Sequence, residues 1–392
     1  MYDFDTVIDR RGTASVKWDV TGPDELPMWV ADMDFQAAPE IREALAARVA
    51  HGVFGYSMLT DAWYDAYTGW WRDRHGFTMD RSWLLFCNGV VPAISSAIRC
   101  LTGPGDHILL QTPVYNCFHR IIRDNGRVIR ESRLTYSNSV YGIDWENLEA
   151  ALAEPETKLM LLCNPHNPIG KQWDRETLAR IGKLCKTYHV LVLSDEIHCD
   201  IAAPGHGYVP FASVNEDCLM NSVTFVAPTK CFNLAGIHSS AVIVPDAALR
   251  EKLDTAMRND ELCNLNAFAV DATVAAFTKG GAWLDALCEY LWHNRAVAEA
   301  YMRERIPGIV PVPGDATYLM WLDCGALTDD SVAFADFIRK DSGLFVSNGT
   351  MYGEAGRCFL RFNIACPRVT LMDGLDRLAR SAANWRKAKE GA

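Results

Sequence analysis

Lys158-Leu159-Met160-Leu161-Leu162-Cys163-Asn164-Pro165-His166-Asn167-Pro168-Ile169-Gly170 joins an unbroken apolar run to a turn built from Asn, Pro and Gly. A short run without polar alternation suits a strand covered on both faces, as in a parallel sheet. Runs of the same kind lie at 107–112, 189–194, 222–226 and 239–244. Amphipathic helical patterns separate them. One covers 174–187, with Asp174 at the capping position and Leu178, Ile181 and Leu184 at spacing three; another covers 90–101 after Asn88-Gly89. This alternation reads as βα units, so the expected fold class is α/β with a mostly parallel central sheet.

Outside this core the texture changes. The stretch 246–306 is helical in pattern almost throughout, and after Pro307-Gly308 short strands and turns appear around 316–323 and 343–363 with a helix between them. Residues 1–45 are irregular up to the helix that starts at Pro39. The expectation is a large α/β domain over 46–285 and a smaller α+β domain made of 1–45 plus 286–392.

The chain has 392 residues, with 38 Lys+Arg against 49 Asp+Glu and a net charge of −11. Such a balance argues against nucleic acid and anionic membrane as partners, since both need a basic face. Met1-Tyr2-Asp3-Phe4-Asp5 lacks a basic start followed by an apolar run, and no apolar stretch is long enough to span a bilayer, so a cytoplasmic protein is expected. The 13 cysteines never form a C-x-x-C pair and are expected to be reduced thiols with no metal site.

The chemistry follows the strands, where open α/β sheets place their ligands. Strand 158–163 runs into Asn164–Gly170, strand 189–194 into Asp195-Glu196-Ile197-His198, and strand 222–226 into Ala227-Pro228-Thr229-Lys230. Three successive turns thus aim an amide, a carboxylate with an imidazole, and an amine at one crevice. A lone lysine after a strand is ordinarily a solvated helix start. An amine able to form a Schiff base beside a carboxylate able to hold a pyridinium nitrogen is what a pyridoxal phosphate site requires.

The motifs Asn164–Gly170, Ser194-Asp195-Glu196-Ile197-His198-Cys199-Asp200 and Thr229-Lys230-Cys231-Phe232-Asn233-Leu234-Ala235-Gly236 resemble those of fold-type I pyridoxal phosphate enzymes. Within these the chain resembles the cystathionine β-lyase (C–S lyase) group related to class I/II aminotransferases. Supporting segments run in family order: Pro27 to Phe35, Phe54-Gly55-Tyr56-Ser57, Asn88-Gly89-Val90-Val91-Pro92, Pro113-Val114-Tyr115-Asn116 and Phe359 to Arg368.

The resemblance implies roles. Lys230 would be the Schiff-base lysine and later the base for the α-proton, and Asp195 the partner of the pyridine nitrogen. Asn167 would bond the ring 3-oxygen. His198 stands where related aminotransferases have a tyrosine that contacts that oxygen, with a purely structural histidine as the other reading. Tyr115 would stack on the ring. The amides of Gly89, Val90 and Val91 would hold the phosphate at a helix start, and Thr229 would add a hydroxyl. Tyr56 would reach the phosphate and substrate of a neighbouring subunit, implying a homodimer with shared sites, and Arg361 would clamp the substrate carboxylate. Glu196 is expected to be structural, Trp29 and Met33 to be either entrance wall or core, and Trp63, Trp70 and Trp71 to be packing.

Three positions depart from many relatives: Ile169 for Thr, Ala227 for Ser, and His238 for Arg eight residues after the lysine. The implied activity is a pyridoxal phosphate-dependent C–S β-lyase on cystathionine or another S-substituted cysteine, a small amino-acid substrate. An aminotransferase is the second reading, and a regulatory protein using the cofactor as a structural ligand the third.

Overall fold

A computed structural model describes residues 2–390; residues 1, 391 and 392, the ends of the expected small domain, lie outside the described residues. Its centre is an eight-stranded sheet in the order Leu84–Cys87, Ser240–Ile243, Ser222–Val226, Leu191–Asp195, Thr157–Cys163, His107–Thr112, Val128–Ser137, Val140–Ile143. The neighbours from Ser222–Val226 through to Val128–Ser137 pair in parallel.

Two strands are reversed, Ser240–Ile243 and Val140–Ile143. The second belongs to a hairpin whose turn residues Asn138 and Ser139 both have positive φ, the geometry that matches strand twist in a two-residue turn. Sequence reading missed this hairpin because Val128–Ser137 is polar and partly exposed at a sheet edge, with no buried-type run to mark it.

The inner strands are buried along nearly their whole length because helices cover both faces. The helix Arg175–Thr187 starts where Asp174 accepts the Thr177 amide at 2.7 Å. The expected long helical stretch is three helices, Ala247–Asn259, Ala269–Lys279 and Gly281–Arg305. Between the last two, a Cβ on Gly280 would lie 2.6 Å from the Ala276 carbonyl and 2.6 Å from the Phe232 ring, so close packing demands glycine there. The expected boundaries at 45/46 and 285/286 fall inside the continuous helices Pro39–His51 and Gly281–Arg305.

A second sheet is antiparallel, ordered Val310–Pro311, Leu319–Asp323, Phe359–Asn363, Ser347–Asn348. Leu26–Pro27 pairs in parallel with Leu344–Phe345, tying the N-terminal segment to this part of the chain. The thirteen cysteines are free thiols. Among the described residues no helix is long and apolar enough to cross a membrane.

Helices Asp61–His75 and Ala269–Lys279 meet through an aromatic cluster: Phe277 lies 4.9 Å from Tyr67, 5.1 Å from Trp70 and 5.6 Å from Trp71, ring centre to ring centre. The tryptophans of this helix are thus packing residues, and Trp70 also donates to Asp200 at 2.9 Å. Replacing Phe277 by Ala removes the shared ring, and the expected cost is about 3–5 kcal/mol in folding free energy, read from the shift of the urea unfolding midpoint.

Candidate active site

The register of the central sheet brings the motifs together. Cys163 pairs with Asp195 and Asp195 with Phe225, so three parallel strands end at one level and their turns lie side by side. Beyond these ends is a cavity of about 230 Å³, and Gly89, Val90, Val91, Tyr115, Asn167, Asp195, His198, Thr229 and Lys230 all line it. Every residue expected at the cofactor of its own chain, Tyr56 being expected at a neighbour's, is therefore on one wall or another of a single cavity.

Asp195 is buried, and its Oδ1 accepts the Ile197 amide at 3.1 Å. Burial pushes its carboxyl up to about 7, against the pull of the nearby Lys230 charge. Glu196 points elsewhere: its carboxylate accepts from Ser194 Oγ at 2.8 Å, from the Phe211 amide at 3.0 Å and from the Tyr208 hydroxyl. Strand alternation separates the two acids, as expected for a structural Glu196.

His198 is buried with Nδ1 unpartnered, and burial together with the Lys230 and Arg361 charges pulls its pKa down to about 3, leaving a neutral ring. Lys230 Nζ donates to the Ala31 carbonyl at 2.7 Å, and burial lowers its pKa below the usual lysine value. Val90 and Val91 open the helix Val90–Leu101 behind Gly89, which has no side chain to cap them, and Pro92 carries no amide hydrogen. The first amides of this helix are left for a ligand.

Arg361 lies on the buried strand Phe359–Asn363 of the second sheet. Its Nη1 donates to Asn167 Oδ1 at 3.2 Å, its Nη2 to the Trp29 carbonyl at 2.7 Å, and its guanidinium lies 4.9 Å from the centre of the Tyr352 ring. A guanidinium only donates, so Asn167 must turn its oxygen to Arg361, which leaves Nδ2 as the donor it can offer elsewhere. Tyr56 does not line the cavity of its own chain and is fully exposed.

The segment 29–35 crosses the site and sequence reading gave it too little weight. The Ala31 carbonyl also accepts from the Tyr318 hydroxyl at 3.0 Å, and Asn363 Nδ2 bridges the carbonyls of Val30 and Asp32 at 2.6 and 2.7 Å. Asn233, with positive φ, accepts the Met33 amide at 3.1 Å and donates to the carbonyls of Met33 and Phe35. Asn363, a polar residue in an apolar strand, carried a readable signal. The role of Ala31 rests on its carbonyl and carries none.

Met33 is core, whereas Trp29 is half-buried and stacks on Phe345 at 5.0 Å. Of the three departures, Ile169 and Ala227 are buried in apolar clusters away from the cavity lining, and His238 stands exposed at its rim beside the Asn88 carbonyl.

The profile of the aminotransferase class I and II family matches residues 30–378. The chain belongs to that family. Its relatives include "Cystathionine beta-lyase PatB" of Bacillus subtilis, 43% identical over 96% of this chain and 98% of the relative, and "Protein MalY" of Escherichia coli, 33% identical over 96% and 97%. Among solved structures, cystalysin from Treponema denticola, which contains a pyridoxal 5'-phosphate cofactor, superposes with a TM-score of 0.95 at 31% identity, covering 98% of this chain and 99% of that one. The chain thus has the fold of a fold-type I pyridoxal phosphate enzyme.

In this family member one other group has metal-ligand character: among the described residues, His75, Cys199 and Asp200 hold ligand-type atoms within 4.8 Å of one another. The Asp200 side chain already accepts from Trp70, from the thiols of Cys199 and Cys231, and pairs with His75 Nε2 at 3.0 Å. It reads as a satisfied buried carboxylate.

The raised Asp195 pKa has a sign that can be tested. An acid whose folded value, about 7, exceeds its ordinary 3.8 favours folding when protonated, and that contribution fades as pH rises through the interval. In the chain without added ligand, Asp195→Asn is expected to raise the urea midpoint relative to wild type at about pH 8 and to leave it unchanged near about pH 4.

Proposed function

We propose that this chain is a pyridoxal phosphate-dependent C–S β-lyase of the cystathionine β-lyase type, releasing a thiol, pyruvate and ammonia from cystathionine or another S-substituted cysteine. The observation that carries the reading is 43% identity over nearly the whole chain to a cystathionine β-lyase.

The residues fit the cofactor. Asp195 is a buried carboxylate with one backbone donor and no cation bonded to it, suited to a protonated ring nitrogen. The uncapped helix start at Gly89, Val90 and Val91 suits a phosphate, with the Thr229 hydroxyl on the same cavity. Tyr115 offers a ring face, Asn167 Nδ2 and neutral His198 offer contacts to the ring oxygen, and Lys230 supplies the amine. When bound, pyridoxal phosphate supplies an electron sink for the charge left at the substrate α-carbon.

The chain's own groups do the rest. Arg361, anchored by Asn167 and the Trp29 carbonyl, holds the substrate α-carboxylate and so aims the α-hydrogen at Lys230. Lys230 Nζ, its proton affinity lowered by burial, takes the α-proton and returns a proton later. Asp195 would hold the ring nitrogen as its ion partner. The Cβ–S bond then breaks with its electron pair on sulfur, which takes up a proton to leave as the thiol, and water hydrolyses the remaining three-carbon fragment to pyruvate and ammonia.

Tyr56, exposed on its own chain, serves the site of a second copy, which makes the working unit a two-fold homodimer. Mixing Lys230→Ala and Tyr56→Ala chains, each inactive alone, is expected to restore activity in mixed dimers. Strictly additive, unrescued activity would show that each site is built from one chain.

The reaction itself is tested with purified protein, pyridoxal phosphate and L-cystathionine, following thiol and pyruvate with and without 2-oxoglutarate. Equal thiol and pyruvate, indifferent to the keto acid and absent in Lys230→Ala, is the expected result. Glutamate formation that requires an amino donor and 2-oxoglutarate, with no thiol released, would make the protein an aminotransferase.

A further inference from the structure

The N-terminal segment carries a set of charges that the proposed reaction does not use. Arg10 grips Asp32 with both nitrogens, Nη1 at 3.1 Å and Nη2 at 2.8 Å, and Nη1 also reaches Asp34 at 2.8 Å. Lys17 is buried and its ammonium lies 2.7 Å from Asp34 and 3.6 Å from Asp32. Trp18 adds an indole donor to Asp34 at 2.8 Å. Lys17 and Asp34 are buried and Arg10 and Asp32 half-buried, and charges withdrawn from water are costly unless paired, as each of these is.

The cluster abuts the reactive amine. Lys230 Nζ is 2.7 Å from the carbonyl of Ala31, and Asp32 is the next residue, its own carbonyl pinned by Asn363 at 2.7 Å. We propose that Asp32, oriented by Arg10 and Lys17, is a positioning residue that sets how tightly the Lys230 amine holds its proton.

This rests on reading Lys230 as the reactive amine. The charged and titratable groups around that amine are Asp32 from the segment, Asp195 from the central sheet, Arg361 from the second sheet, Tyr318 just before its strand Leu319–Asp323, whose hydroxyl shares the Ala31 carbonyl with the amine, Cys117 from the helix Asn116–Asp124 with Tyr115 ahead of it, and the neutral His198. Asp32 and Asp195 are the carboxylates among them, and in the chain without cofactor both oppose Arg361 at the amine. Lys17, by partly neutralising Asp32, works in the contrary direction.

The test reads Lys230 alone. Cyanate carbamoylates only neutral amines, so the rate at Lys230 against pH, followed by peptide mass spectrometry in the full chain stripped of cofactor, gives the midpoint of its titration. Exposed Lys158 serves as the internal reference. Asp32→Asn is expected to move the midpoint down by roughly one unit and Lys17→Met to move it up, with Asp32→Glu returning it towards wild type.

Asp34 keeps both cations paired in Asp32→Asn, so that variant should fold, which near-UV circular dichroism checks. If Lys17→Met fails to fold, the Asn and Glu pair decides alone. A folded Asp32→Asn whose Lys230 midpoint matches wild type, or Asn and Met variants that shift the same way, overturns the proposal and leaves Asp32 a staple for the segment. No substrate enters the measurement, so its outcome is separate from that of the lyase assay.

Discussion

Residues 29–35 cross the mouth of the site outside any strand ladder, and their carbonyls, withdrawn from water, must still be paired. Side chains from distant parts of the chain meet that demand: Arg361 at Trp29, Asn363 at Val30 and Asp32, Lys230 and Tyr318 at Ala31, Asn233 at Met33 and Phe35. The amine and the guanidinium proposed for chemistry are therefore held by the same backbone segment. Their relative positions follow from one structural requirement.

The electrostatics of the cavity follow from its dryness. Burial raises Asp195 and lowers His198 and Lys230, each towards its neutral form, so a ligand that restores a partner recovers the cost of keeping those groups dehydrated. Glu196, one residue from Asp195, shows how local the control is: its partners are Ser194, Tyr208 and Phe211, and it takes no part in the cavity. The chain spends a second buried acid on tying the strand end to the loop at 208–211.

Two kinds of residue differ in how far they could be read. Lys230, Asp195 and Asn167 follow directly after apolar strand runs, and the geometry of a parallel sheet puts successive strand ends together. Arg361 is unlike them, because it comes from a different sheet and reaches Asn167 across 194 residues of sequence. Its buried position was legible only through the resemblance of its motif. The hairpin Val128–Ile143 was missed for a related reason, since a polar edge strand has no apolar run to announce it.

From residues alone came the βα core and the amide, carboxylate and amine that follow three successive strands, because apolar period and turn residues are local properties. The tertiary structure alone decided that the Ala31 carbonyl grips Lys230, that Arg361 is steadied by the Trp29 carbonyl, and that Arg10 and Lys17 converge on Asp32 and Asp34. Backbone carbonyls have no sequence signature, and ion pairs between an irregular segment and its own surroundings depend on how that segment is laid across the sheet. Only the folded path of the chain contains that information.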